Sequence, residues 1–279
     1  MALDNPAFAK NPALNGKTLT AEELNRIYSQ PAADLQRPGV DAPAAQPAAP
    51  VGPGGGSADP MTYEDTIAKT VGLFVAVLAL GAVGWMFPVL AIPGAIAGLV
   101  LGLVNSFKKE PSVPLILSYA AAQGLFLGGI SQIFEMQWPG IVIQAVIATL
   151  TVFATVMLLF RSGKVRTSPK MTKIFLVAMV SYLAFSLINV VLMLTGASTE
   201  PFGTRSIEVF GIPLGLVIGA LAVLMASYSL VMDFEYIKNG VENRVPRKYG
   251  WSAAFGLMVT LIWLYVEILR IIAILRGSD

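Results

Sequence analysis

The sequence predicts an all-α membrane protein, a seven-transmembrane-helix bundle behind a disordered N-terminal tail. Three observations predict it. The 279 residues are 55% hydrophobic and only 13% charged, with a mean hydropathy of +0.69, a balance that a water-facing surface does not sustain. From Ile67 onward, seven apolar stretches are long enough to cross a hydrocarbon core of about 30 Å as helices. The loops between them alternate in basic charge, as chains that cross a membrane repeatedly do.

The first 60 residues stand apart. They are polar, rich in Ala and Pro, and carry six acidic against four basic side chains. Between Pro31 and Pro60, seven prolines and the run GPGGGS leave no apolar surface to offset ordering entropy, so this part reads as a disordered linker. Within the tail, LTAEELNRIYS pairs Thr20 with Glu23 as a capping box and predicts one short helix. No signal-peptide h-region precedes the first span, which is expected to act as the targeting signal. The division is therefore 1–60, a cytoplasmic tail, and 61–279, the seven-helix transmembrane domain.

The spans are expected near 67–88, 91–107, 113–134, 140–160, 174–195, 209–233 and 252–275, separated by Pro88 with Pro93, Pro111 with Pro114, Trp138-Pro139, Ser168-Pro169, and Pro201 with Gly203. Loops after spans two, four and six hold Lys108 and Lys109; Arg161, Lys164, Arg166, Lys170 and Lys173; and Lys238, Arg244, Arg247 and Lys248. Loops after spans one, three and five hold only Arg205. Because Lys and Arg favour the cytoplasmic side, the N-terminus is expected in the cytoplasm and the C-terminus outside, in a multi-pass protein of the cell (cytoplasmic) membrane. Trp85 and Trp138 fall at predicted outer ends and Trp251 at an inner end, where interfacial anchors belong. Gly94, Gly98 and Gly102, and Gly211, Gly215 and Gly219, repeat every fourth residue and predict small-residue faces for close helix packing.

Composition also excludes. Without Cys or His there is no disulfide, no Ser-His or Cys-His catalysis and almost no zinc, copper or haem chemistry, so a bound metal must accept oxygen ligands, as calcium and magnesium do. A formal charge of +2 does not point to nucleic acid. An intramembrane aspartyl protease would carry Gly-x-Gly-Asp, and a retinal protein a lysine in span seven; both are missing, and no enzyme is expected.

Two acids lie in apolar surroundings: Asp233, ending VLMASYSLVMD, and Glu267, inside LIWLYVEILRIIAIL. A charge at mid-bilayer costs roughly 2.5–3.5 kcal/mol on insertion scales, which makes both functional candidates. Arg270, three residues after Glu267, offers an ion pair on the same helix face. Depth along the helices at about 1.5 Å per residue puts Asp233 on the order of 10 Å to the cytoplasmic side of mid-bilayer. Direct contact between the acids would then need tilt, a later start to span six, or an aqueous cavity.

The stretches YSLVMDFEYI and TLIWLYVEILRIIAIL resemble the last two helices of the Bax inhibitor-1 family, the transmembrane Bax inhibitor motif proteins, and AAAQGLFLGGIS in span three is similar as well. The resemblance implies a seven-helix bundle around a central span seven, and a pH-sensitive calcium leak channel gated by a pair of carboxylates. Carried over, the calcium-facing pair is Asp233 with Glu267; two carboxylates sharing one site titrate as a unit, and protons compete there with calcium. The sequence departs from the family pattern at Met232, where a tyrosine would stand, at Glu267, one methylene longer than Asp, and at Asn105, where some relatives have a basic latch. Lys108 and Arg270 are candidate substitutes for that latch. No cofactor is expected beyond calcium as the transported ion, and the expected partners are the bilayer, calcium, and membrane proteins met through the tail. The alternative is a non-conducting interaction protein that modulates stress-response or proteolysis partners.

Overall fold

The structure, a computed structural model, describes residues 59–197, 202–209 and 211–277. The Thr20–Glu23 helix and nearly all of the 1–60 tail lie outside the described residues. Among the described residues, seven helices are long and apolar enough to cross a membrane, so the chain is a multi-pass, all-α membrane protein. They are α1 Tyr63–Met86, α2 Ala91–Phe107, α3 Val113–Gln137, α4 Ile141–Arg161, α5 Pro169–Leu194, α6 Leu214–Glu242 and α7 Gly250–Gly277. A hairpin, β1 Glu208–Val209 with β2 Ile212–Pro213, precedes α6.

Local chemistry starts the helices where hydropathy alone is vague. The Thr62 hydroxyl accepts from the Asp65 amide at 3.2 Å and the Ser168 hydroxyl from the Met171 amide at 3.2 Å, each filling an unpaired donor of a first turn. Glu135 reaches across a turn, accepting from the amides of Gly140 at 2.6 Å and Val142 at 3.0 Å to cap α4. α6 outruns the predicted span by more than two turns, continuing past Asp233 to Glu242, as polar residues at its end allow. Gly211 does not join the α6 glycine face. Its φ of +75° belongs to the hairpin turn, a conformation that favours glycine, while Gly215 and Gly219 do pack, against Ile274 and Ile271 of α7.

α7 is the centre. One face packs with α1 and α3 through Leu73, Val77, Tyr119, Ala254, Met258 and Ile262. The other packs with α4 and α6 through Ile141, Ala145, Leu230, Leu264, Ile268 and Leu269. Because α7 is enclosed on both sides, any polar group at its middle must find its partner inside protein. α5 is the contrast: its one buried residue is Asn189, and its apolar side chains, Val177 and Leu187 among them, face outward.

Contacts between connections sort the bundle into two ends. At one, Lys248 meets Glu110 at 2.8 Å, Glu235 accepts from the Thr167 amide at 3.1 Å, and the segment entering α1 meets the α6–α7 connection, the Met61 amide donating to the Val245 carbonyl at 2.7 Å. At the other, Arg276 donates to the Pro139 carbonyl at 2.9 Å and the α5–α6 connection folds inward.

Candidate functional site

The α5–α6 connection carries Arg205 in a single 3-10 turn, Gly203–Ser206. Asn189 of α5 determines where that turn sits. Its carbonyl oxygen accepts from both the amide and the hydroxyl of Thr204, each at 2.7 Å, and its amide donates to the Phe202 carbonyl at 3.2 Å. Gly203, at φ +62°, lies directly over the Asn189 amide, where a side chain would collide with it. With the turn clamped, Arg205 points into the bundle and is only 3% exposed.

There it meets Glu267, 1% exposed, on α7. Arg205 Nη1 donates to Glu267 Oε1 at 3.1 Å, and Arg205 Nη2 to Ser186 Oγ at 3.0 Å. The other oxygen, Oε2, accepts from the Tyr182 hydroxyl at 2.6 Å and from Arg270 Nη1 at 2.8 Å. The Arg205 guanidinium also stands over the rings of Tyr182 and Phe185, 5.4 and 5.5 Å from their centroids, a placement that favours a cation in a dry site. Gly219 of α6 leaves room beside Oε1, and the buried Trp263 indole N–H, whose ring lies 5.7 Å from that of Tyr182, has no hydrogen-bond partner among the described residues.

One carboxylate between two guanidiniums leaves a local charge of about +1. Such a group is held by geometry, because burying its ions unpaired would cost several kcal/mol each. Arg205 and Arg270 differ in their enclosure: the Arg205 side chain is 4% exposed and that of Arg270 26%.

Asp233 belongs to a separate cluster. Thr260 donates to its Oδ2 at 2.7 Å, which leaves Ser229 to donate to Thr260 at 3.1 Å. Gly256 gives Oδ1 its space. No cation pairs with Asp233 among the described residues. Thr260 and Glu267 are seven residues apart on α7, about 10 Å along the axis, and the two acids share no hydrogen bond in this structure. Glu267 faces both arginines instead.

The remaining sequence candidates lie elsewhere. Asn105 donates to the carbonyls of Leu101 at 2.9 Å and Leu115 at 3.2 Å, tying the end of α2 to the first turn of α3. Lys108 is exposed just beyond α2 and forms no ion pair among the described residues. The described residues contain no cluster of three acidic side chains able to hold a metal ion. Arg205, Tyr182, Ser186 and Asn189 were missed by sequence reasoning. Two signals pointed to them: Arg205 is the lone basic residue in its set of loops, and positions 182, 186 and 189 recur at helical spacing on one face of an otherwise apolar span.

A family model described as Bax inhibitor 1 like matches residues 5–277. No curated protein matches the chain.

Proposed function

The chain belongs to the Bax inhibitor 1 like family, and from that premise we propose that it is a pH-sensitive calcium leak channel of the cytoplasmic membrane, here in a latched state. The observation that carries this reading is Glu267, a fully buried acid at the middle of the central helix with both oxygens engaged by three other side chains. The pathway runs along the α6–α7 seam. Asp233, an acid with hydroxyls beside it and no cationic partner among the described residues, is the calcium-facing carboxylate nearer the cytoplasm. Glu267 is the gate nearer the outside, with the N-terminus cytoplasmic and Arg205 entering from the outer face. The transported calcium is repelled from Glu267 while both guanidiniums hold it. Protonating Glu267 cancels the charge that keeps Arg205 buried and so favours release of the turn that carries it.

Purified protein in liposomes tests this by calcium flux at neutral and acidic pH. Glu267→Gln, which mimics the protonated gate, is expected to raise flux at neutral pH and to flatten its pH dependence. Asp233→Asn is expected to lower flux throughout. Flux unaffected by both substitutions would sink the proposal. The local positive charge at Glu267, unfavourable to a divalent cation, favours a second reading: a non-conducting interaction protein. Absent flux from all variants, together with loss of co-purifying proteins on deleting residues 1–60, would establish that one.

A further inference from the structure

At the end of the bundle away from Arg205, a pocket of about 270 Å³ opens between the end of α2, the start of α3, α6 and the first turn of α7. Its chemistry is one-sided. Lys108 and Lys109 line it, and neither forms an ion pair among the described residues. The nearby acid, Glu110, is already taken by Lys248 at 2.8 Å. Asp233 lies three residues deeper on α6 than the pocket residue Tyr236 and is bonded to Thr260.

Tyr236, Tyr249 and Ser252 also line the pocket, and their hydroxyls have no hydrogen-bond partner among the described residues. Tyr249 and Ser252 flank the N-terminus of α7, a 28-residue helix whose dipole favours an anion. Asn105 and Ser106, by contrast, spend their donors on backbone carbonyls. Two free ammonium groups, three free hydroxyls and a helix N-terminus thus converge on one small space. A lining that carries two cations and no free acid, at a volume below that of drug-sized pockets, suits a small polyoxygen anion.

We propose that this pocket binds a phosphate group, and that its source is the headgroup of an anionic phospholipid. The surface of α2 below the lysines supports the lipid source: Val100, Leu103, Val104 and Phe107 recur at helical spacing and are 46–84% exposed, a track along which acyl chains lie once the phosphate is seated. Binding there does not depend on ion conduction.

Native mass spectrometry of the full chain in detergent, with phosphatidylglycerol and phosphatidylcholine added in turn, tests the proposal. Phosphatidylglycerol is expected to be retained in preference, and K108Q/K109Q to weaken its retention at least about tenfold, equivalent to about 1.4 kcal/mol. Both lysines are exposed, so the double variant should fold; Tyr249→Phe, which removes one hydroxyl and no charge, is expected to weaken retention about threefold. Inorganic phosphate that displaces phosphatidylglycerol would support phosphate as the recognised group. A thermal shift with inorganic phosphate, without phosphatidylglycerol retention, would overturn the lipid source in favour of a soluble phosphate. Equal retention of the two lipids, or retention unchanged in K108Q/K109Q, with no shift by phosphate, would overturn the site itself.

Discussion

Removing either end of the Arg205–Glu267 pair should destabilise the bundle, and removing both should cost less than the sum. In Arg205→Gln, Glu267 Oε1 loses its guanidinium donor while Oε2 keeps Tyr182 at 2.6 Å and Arg270 at 2.8 Å. A hydrogen bond to a charged group contributes about 1.5–3 kcal/mol, so a loss of about 2 kcal/mol is expected. Glu267→Gln is worse, because it strands Arg205, 3% exposed, as an uncompensated buried cation; stranding one partner costs about 3–5 kcal/mol, and about 4 is expected. In R205Q/E267Q neither of those charges remains, and Arg270, with a quarter of its side chain exposed, is far less enclosed than Arg205. The double variant should then lose about 4 kcal/mol rather than 6, a coupling of about 2 kcal/mol. Equilibrium unfolding of the purified variants in mixed micelles, followed by circular dichroism, measures all three. Additivity within about 0.5 kcal/mol would show that the two groups do not depend on each other and would refute the latch.

Asn189→Ala should cost about 2–3 kcal/mol, since it leaves the amide and hydroxyl of Thr204 without their acceptor; micelle unfolding measures it, and because it frees the turn that carries Arg205, calcium flux at neutral pH should rise as it does in Glu267→Gln. Gly203→Ala forces a side chain into the left-handed region against Asn189, and a loss of more than about 1 kcal/mol is expected by the same assay. In the α1–α3 contact, Gly84 and Gly128 sit against the backbone of the other helix, so Gly128→Val should drive the helices apart and abolish a monodisperse peak in size-exclusion chromatography. Thr260→Val removes the hydroxyl that donates to Asp233 at 2.7 Å and should cost about 1.5–3 kcal/mol in unfolding.

The bundle was legible because its signals are local. Apolar length, proline and glycine between spans, and the alternation of lysine and arginine each act within about 25 residues, and the helices fall within a few residues of the stretches they mark, except α6, which runs more than two turns further. Errors sit at the ends, where caps decide: α5 starts at Pro169 because Ser168 caps it, five residues before hydropathy alone would begin it. Glu267 stood out for the same local reason, as a charge in an apolar run. Its neighbour Arg270 was legible too, by the three-residue spacing that puts both on one face.

Arg205 was not, because its partner lies 62 residues away. In sequence it is a loop cation, an exception to the charge alternation and nothing more. What brings it inside is the clamp of Asn189 on Thr204 and the positive φ of Gly203, a backbone event that no hydropathy window registers. The pairing of Glu267 was likewise undecidable from spacing. Helix register sets Thr260, the partner of Asp233, about two turns from Glu267 along α7, and with both packed faces of α7 covered the buried acid took the cations that tertiary packing delivered. The sequence by itself determined that this chain spans a membrane seven times and carries an acid that needs a partner at mid-depth, because burial in lipid penalises every unpaired charge. Only the tertiary structure decided which partner, because that depends on where a distant loop folds.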